Sequence, residues 1–437
     1  MIKEITKMNI TTLINYILIG AVGGVGAILA NRGIAVFNDG LRPIMPEYIE
    51  GKITRKELAA TSFAVSFGLI IGFGIPVSIG STILVAHSIL LASDVIGTWT
   101  PDSKWGSTIA GVIGAIYGVG LLFGLSSIVA FFKMLPFNFL PALSLMSGPI
   151  LLAFCAFPAL AVARQHDPKK GFITFGLTFL AYLIATKFGT FKIGEFSITL
   201  NAIGMALLVA MICMVYFAAQ IKGEGNSNAS LVNVFSKRVG RIKGNWIWLS
   251  LMGGLITAAS SMLIIAVDIL PQQLLVKNQV MEAAIATLAR AVGFIPLVFS
   301  TAIVTGVYGM AGTTVIFVIG LLLKGQPILA FVAGFIWMWI EVQLLSATAK
   351  GLDKFPGLRD MGEHIRTSLQ DTIAIALLIG AAIACDKMAP SIGFFWVIGF
   401  WLLNKKAKKP LVDMAVGPIA TIAFGILLNI LRLIMLF

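Results

Sequence analysis

The segment IMPEYIEGKITRKELA (residues 44–59) lies on ILPQQLLVKNQVMEAA (residues 269–284) at a constant offset of 225 (269 − 44), with Ile44/Ile269, Pro46/Pro271, Lys52/Lys277, Glu57/Glu282 and Ala59/Ala284 identical. A second echo follows at once, where GFGIP (72–76) meets GFIP (293–296). Each copy is a polar segment leading into an apolar run that Gly and Pro interrupt. Proline removes a backbone donor and breaks a helix. Broken backbone at membrane depth persists only where protein or a water-filled cavity satisfies it. Interrupted runs at matching places in two halves are the sequence mark of a transporter binding site. Hydroxyls cluster at both breaks: Ser78, Ser81 and Thr82 in the first, Ser300, Thr301 and Thr305 in the second.

The rest of the chain fits this frame. Of 437 residues, 58% are hydrophobic and 12% charged, against roughly a quarter charged in soluble domains. Apolar runs at 12–30, 58–79, 80–93, 107–130, 135–163, 171–187 and 197–220 precede a polar stretch at 222–244. Further runs lie at 245–268, 291–307, 309–323, 326–348, 371–387, 391–404 and 415–434. A span needs about 20 residues, so the expectation is an all-α integral membrane protein of about 12–14 segments. Residues 1–221 and 245–437 form two inverted-topology repeats with broken helices, and 222–244 is a cytoplasmic linker loop. Runs 80–93 and 309–323 are short for a span and suit either a re-entrant segment or half of a broken helix.

The net charge of +13 does not imply nucleic acid. The basic residues sit between apolar runs, as expected of cytoplasmic loops. Lys169–Lys170, Lys237–Arg238 and Lys405–Lys406 fall on one side if every run crosses, which places both termini in the periplasm of a bacterial inner membrane. The connection 93–106 carries two Asp and reads as periplasmic. Cys155, Cys213 and Cys385 lie apart in apolar runs and form neither a disulfide framework nor a zinc pattern.

Ionisable residues within spans mark substrate or ion paths. Glu341, in WMWIEVQLL, is the candidate for ion coupling, and so is Asp268 at the end of its apolar run, where a simple boundary charge is the alternative; for Glu341 the alternative is a structural pair with Arg290. Arg290, just before the second break, suits an anionic group. With Ser300, Thr301, Ser78, Thr82, Asp39 and Arg42 it makes up the candidate substrate site. Asp39 and Arg42 belong to NRGIAVFNDGLRPIMPEYIEG (31–51), whose turn formers and apolar residues suit a segment folded back near the substrate path. His87, alone in LVAHSILL, reads as a buried structural histidine.

At AVFNDGLRPIMPEYIEG (35–51) the chain resembles the YhfT family of bacterial inner-membrane proteins, and the likeness extends through RAVGFIPLVFSTAIVTGVYGMAG (290–312) and GILLN (425–429). The resemblance implies a multi-span transporter and brings no catalytic residues. A relative has His where this chain has Asn38, which argues against an essential proton carrier there.

These features point to a secondary transporter of a small polar, anionic or zwitterionic organic solute, coupled to H+ or Na+. The alternatives are the membrane component of a sugar phosphotransferase system and a membrane-embedded enzyme. The motifs H-E-x-x-H, G-x-S-x-G and G-x-x-x-x-G-K-[ST] are absent, so no catalytic activity, cofactor or metal is expected. The expected partners are membrane lipid and the solute, with a homodimer one assembly open to it.

Overall fold

The structure, a computed structural model, describes residues 9–42, 44–70, 74–75, 78, 83–193, 196–200, 202–221, 229–352, 356–408, 410–411 and 413–436. It is an all-α membrane protein. The first half runs α1 (Ile10–Asn31), β1 (Ala35–Val36), α2 (Met45–Ile49), α3 (Arg55–Leu69), β2 (Leu84–Val85), α4 (Ala86–Trp99), α5 (Lys104–Met134), α6 (Leu140–Ser144), α7 (Ser147–Gln165) and α8 (Pro168–Phe188). The hairpin β3 (Thr190–Ile193) and β4 (Phe196–Thr199) then leads into α9 (Ala202–Ala219). After α10 (Ala229–Gly244) the order resumes with α11 (Trp246–Ser261), β5 (Ile265–Ala266), α12 (Ile269–Val276), α13 (Val280–Thr305), β6 (Tyr308–Gly309), α14 (Val315–Leu322), α15 (Pro327–Leu352), α16 (Pro356–Met388), α17 (Ile392–Lys406) and α18 (Asp413–Leu433).

Six helical stretches among the described residues are long and apolar enough to cross a bilayer: Ile10–Asn31, Lys104–Gly124, Pro168–Phe188, Ala202–Ala219, Pro327–Thr348 and Val416–Leu433. Helix α8 shows why water does not suit this surface. It exposes Phe172, Phe175, Phe179, Leu180, Leu183 and Ile184 and buries Gly171, Thr174 and Thr178. A helix in water does the reverse. In lipid, small and hydroxyl-bearing residues face neighbouring helices so that backbones can approach.

The two halves use the same parts in the same order. Helix, two-residue strand, short helix, long helix, strand, helix, helix describes both α1 to α5 and α11 to α15. Neighbours correspond as well. Helix α1 packs on α4 and α5 as α11 packs on α14 and α15; α3 meets α4 as α13 meets α14; α9 meets α13 as α18 meets α3. Within the aligned segment, Pro46 and Pro271 stand in the first turns of α2 and α12, and Glu57 and Glu282 in the first turns of α3 and α13. Glu57 completes a capping box with Thr54, satisfying donors that a helix start leaves open.

Close backbone approach accounts for the tightest helix pairs. A Cβ on Gly23 would lie 2.3 Å from the Gly114 carbonyl oxygen, and one on Gly254 would lie 2.8 Å from the Phe331 carbonyl oxygen. Gly118 also packs on α1, whereas Gly120 meets nothing within 4 Å and is no part of a packing motif there.

The halves are joined by their strands. β1 pairs in parallel with β6 (Ala35↔Tyr308, Val36↔Gly309), and β2 with β5 (Leu84↔Ile265, Val85↔Ala266). Each half's first strand therefore pairs with the other half's second. All eight residues are buried. Extended backbone deep in a bundle needs partners for its N–H and C=O groups, and the other half supplies them.

Four stretches differ from the sequence expectation. The Gly/Pro interruption expected at 293–296 does not break its helix, since α13 runs on through it from Val280 to Thr305. The 222–244 linker is helical from Ala229, with Arg241 donating to the carbonyls of Arg32 and Gly306 at the ends of α1 and α13. The polar 356–370 stretch is not a loop but the start of the 33-residue α16, about 50 Å long at 1.5 Å per residue. Most of 93–106 is not a connection either: α4 continues to Trp99 and buries Asp94 completely. In the described parts of runs 80–93 and 309–323 a paired two-residue strand precedes the helix.

Candidate functional site

The strand pair β1·β6 sends two loops off side by side. Residues 37–42 leave β1 and residues 310–314 leave β6, and together they border a cavity of about 50 Å3. Asp39, Arg42, His87, Arg290 and Thr314 line it with Leu69, Leu91, Phe294 and Val298.

The first loop is shaped by its own sequence. The Asn38 side chain accepts the Gly40 N–H at 2.8 Å, an Asx turn, and its Nδ2 donates to Ser66 Oγ on α3. Asp94 on α4 holds the entry, accepting the N–H groups of Phe37 and Asn38 at 2.8–3.0 Å. The turn carries Arg42 back under the loop, where its Nη2 pairs with Asp39 at 2.7 Å. Its Nη1 donates to Thr301 Oγ1 on α13 at 2.6 Å. A first-half guanidinium is thus tied to a second-half helix.

The second loop hangs on Glu341. This carboxylate is 1% exposed and accepts four hydrogen bonds: Tyr308 Oη and the Thr313 N–H on Oε2, Thr313 Oγ1 and Trp337 Nε1 on Oε1. Gly312 makes room for it. Its φ is +52°, and a Cβ there would stand 2.3 Å from Glu341 Oε2. Gly309 in turn lets Arg42 approach, its absent Cβ lying 3.1 Å from Nη2.

Arg290 enters from α13. Its Nε pairs with Asp268 Oδ2 at 2.8 Å, its Nη1 donates to Thr314 Oγ1 at 3.3 Å, and its guanidinium lies 4.1 Å from the Phe294 ring centroid. An Arg over an aromatic face is held by the ring's charge distribution as well as by its ion pair.

The structure therefore brings Asp39, Arg42 and Arg290 to one cavity, with Thr301 and Asp268 directly behind the two arginines. Glu341 lies under the second loop and is paired with hydroxyls and N–H groups rather than with Arg290. Ser78 is elsewhere: buried at the first break, it donates to the Gly74 carbonyl and accepts the Val85 N–H, so its hydroxyl serves the backbone. Thr82, Ser81 and Pro76 lie outside the described residues, and the side chains of Ser300 and Pro296 are outside them too. His87 is buried against Phe37, edge to face at 5.1 Å, and also reaches the cavity wall. Asp94 was hidden in the sequence by position, since an acid next to a Trp-, Pro- and Asp-containing stretch looks like a loop residue. The signal available was the apolar run before it, which continues helically past it.

Residues 15–437 match a family described as "YhfT: Protein of unknown function". The chain belongs to the YhfT family. It is 30% identical over 442 aligned positions to the "Uncharacterized protein YhfT" of Escherichia coli (strain K12), covering 97% of this chain and 98% of that one. No solved structure matches it. The match covers the whole cavity of this YhfT-family protein, since each residue of the two loops, α13 and Glu341 falls within 15–437. Among the described residues no group of three or more His, Cys, Asp or Glu is placed to hold a metal ion.

Proposed function

We propose that this YhfT-family protein is a secondary transporter of a small polar organic solute, anionic or zwitterionic, and that the cavity between Arg42 and Arg290 is its binding site. The observation that carries this reading is the meeting of two guanidinium groups, one from each half, at one cavity in an otherwise apolar helical protein. Charges inside membrane proteins are costly and are kept where they face a cavity, a partner or a permeating species. Binding between two repeats, at interrupted elements, is also how many secondary transporters place their sites.

The same reading takes the two halves as inverted repeats related by an axis in the membrane plane. The crosswise pairing of β1 with β6 and β2 with β5 supports this. Alternating access would then be a rocking of one half against the other around the cavity. Coupling to H+ or Na+ belongs to this reading, and Asp268 suits it better than Glu341, whose two oxygens already accept four donors. The location is the bacterial inner membrane, with no chemical conversion of the solute.

The test has two stages. Purified protein is screened for thermal stabilisation by organic acids, amino acids, sugars and sugar phosphates, since a ligand of the native state raises stability by mass action. The best binder is then followed into proteoliposomes with and without a pH or Na+ gradient. Gradient-dependent accumulation, lost when Arg290 and Asp268 are both replaced by Ala, is expected. Stabilisation by no compound class, or uptake indifferent to the double replacement, overturns the proposal.

A further inference from the structure

We infer that the solute is a zwitterion, a small α-amino acid with a short apolar side chain, held by its carboxylate at Arg290 and by its ammonium at Asp39. This rests on the transport-site reading and narrows it.

Charge balance is the first ground. The positive groups around the cavity are Arg42 and Arg290. The acids facing them are Asp39 on the first loop, Asp268 behind Arg290, Asp94 behind the first loop and Glu341 behind the second. Each arginine already has an acid of its own. A free anion would add negative charge to a buried place that has no surplus of positive charge, and such charge is strongly disfavoured away from water. A zwitterion adds none.

Unmet hydrogen-bonding capacity is the second ground, and it comes in both signs. Arg290 uses Nε on Asp268 and Nη1 on Thr314. Its Nη2, with two N–H groups, has no acceptor among the described residues although the side chain is only 11% exposed. A guanidinium presents its donors as a planar fork that suits a carboxylate. Asp39 gives Oδ1 to Arg42, and Oδ2 receives nothing from a described residue. At 19% exposed, Asp39 is the most accessible acid of the two ion pairs. A cation alone would leave the Arg290 fork unanswered, and an anion alone would leave Asp39 so.

Shape is the third ground. Leu69, Leu91 and Val298 form an apolar wall beside these groups, and the cavity of about 50 Å3 has room for only a few water positions' worth of ligand. A short aliphatic side chain fits that wall, and a sugar's ring of hydroxyls does not.

The experiment compares L-alanine and L-valine with propionate and ethylamine, singly and mixed, as stabilisers of the purified full-length protein at pH 7. The expected result is a rise in Tm of several degrees with the amino acids, at concentrations where propionate, ethylamine and their mixture give less than a quarter of it. Asp39→Asn and Arg290→Lys should each weaken L-alanine binding at least tenfold, with Asp39→Glu recovering part of the loss. Folding of each variant is checked by its ligand-free Tm and by gel filtration. Propionate matching L-alanine, with proton uptake on binding, overturns the zwitterion and makes the site one for an anion plus a proton. Ethylamine matching L-alanine overturns it in favour of an amine. In both cases the transport reading stands. Stabilisation by sugars or sugar phosphates alone also sinks the zwitterion and spares transport. No stabilisation by any class overturns both.

Discussion

Arg290 is paired with Asp268, Nε to Oδ2 at 2.8 Å, and not with Glu341, another buried acid of the second half. The two residues are 22 positions apart (290 − 268), joined by α12 and the turn that starts α13. That helix–turn–helix is the segment that repeats residues 44–59. The repeat therefore builds the ion pair: Asp268 stands at the N-cap position of α12, and the turn after α12 brings the third turn of α13 back to it.

From this pair follows the behaviour of Arg290→Ala. It leaves Asp268 buried beside no cation, and breaking one side of a buried pair costs about 3–5 kcal/mol. We expect the single replacement to lower Tm sharply, and the double replacement with Asp268→Ala to regain most of the loss. Solute binding stays absent in both. Equal Tm values for the single and double variants would show that the pair does not stabilise the fold.

Glu341→Gln should destabilise more than its shape suggests. Oε1 accepts the Trp337 Nε1–H and Oε2 accepts the Thr313 backbone N–H. Neither donor can turn into an acceptor. Whichever way the Gln amide is placed, its NH2 faces one of them. A buried donor left unsatisfied costs about 1–3 kcal/mol. The check is a Tm of Glu341→Gln well below wild type, close to that of Glu341→Ala.

Asp94→Asn makes the opposite case. Asp94 Oδ2 accepts both the Asn38 and Phe37 N–H groups, sharing the Phe37 N–H with Oδ1, so an amide oxygen in the Oδ2 place keeps a bond to each N–H. Asp94→Asn is expected to stay within about 1 kcal/mol of wild type. Asp94→Ala orphans two buried N–H groups, at about 1–3 kcal/mol each. If Asn is as damaging as Ala, the negative charge at Asp94 matters beyond its hydrogen bonds.

Much of this was legible in the sequence, for identifiable reasons. Arg42, Asp39 and Arg290 stand out because charge beside apolar runs is rare, and the 44–59 repeat shows because Pro and Glu hold fixed places at helix starts. Other features leave no local mark. The β1·β6 pairing joins residues more than 270 positions apart with two residues per strand, too few to show an alternating pattern. The Glu341 cage depends on Thr313 and Tyr308, ordinary residues until the loop brings them to the carboxylate. The helix at 229–244 was masked by its polarity, since an amphipathic basic helix has the composition of a loop.

Topology can be checked directly. The inverted-repeat reading places both termini in the periplasm and α10 in the cytoplasm. Reporter fusions after Leu433 and within 229–244 should report opposite sides. A C-terminal reporter on the same side as α10 would contradict the inverted-repeat reading.

Gly309, at the end of β6, and Gly312, in the second loop, should respond unequally to the same small change. At Gly312 an added methyl carbon falls 2.3 Å from Glu341 Oε2 and φ is +52°. Alanine there meets both a clash and a left-handed backbone, which by itself costs about 1–3 kcal/mol. The carboxylate cannot retreat without giving up its four donors, so Gly312→Ala should collapse the loop, lower Tm markedly and abolish solute binding. At Gly309 the nearest atom is Arg42 Nη2 at 3.1 Å, the tip of a long side chain that can shift by a few tenths of an ångström. Gly309→Ala should keep the fold, with Tm within a few degrees of wild type. Its effect should fall on affinity, because the shift moves Arg42 against Asp39 and Thr301. Melting and binding of the two variants, measured side by side, separate the roles. A Gly312→Ala protein that binds solute normally would mean that Glu341 does not hold the loop in place.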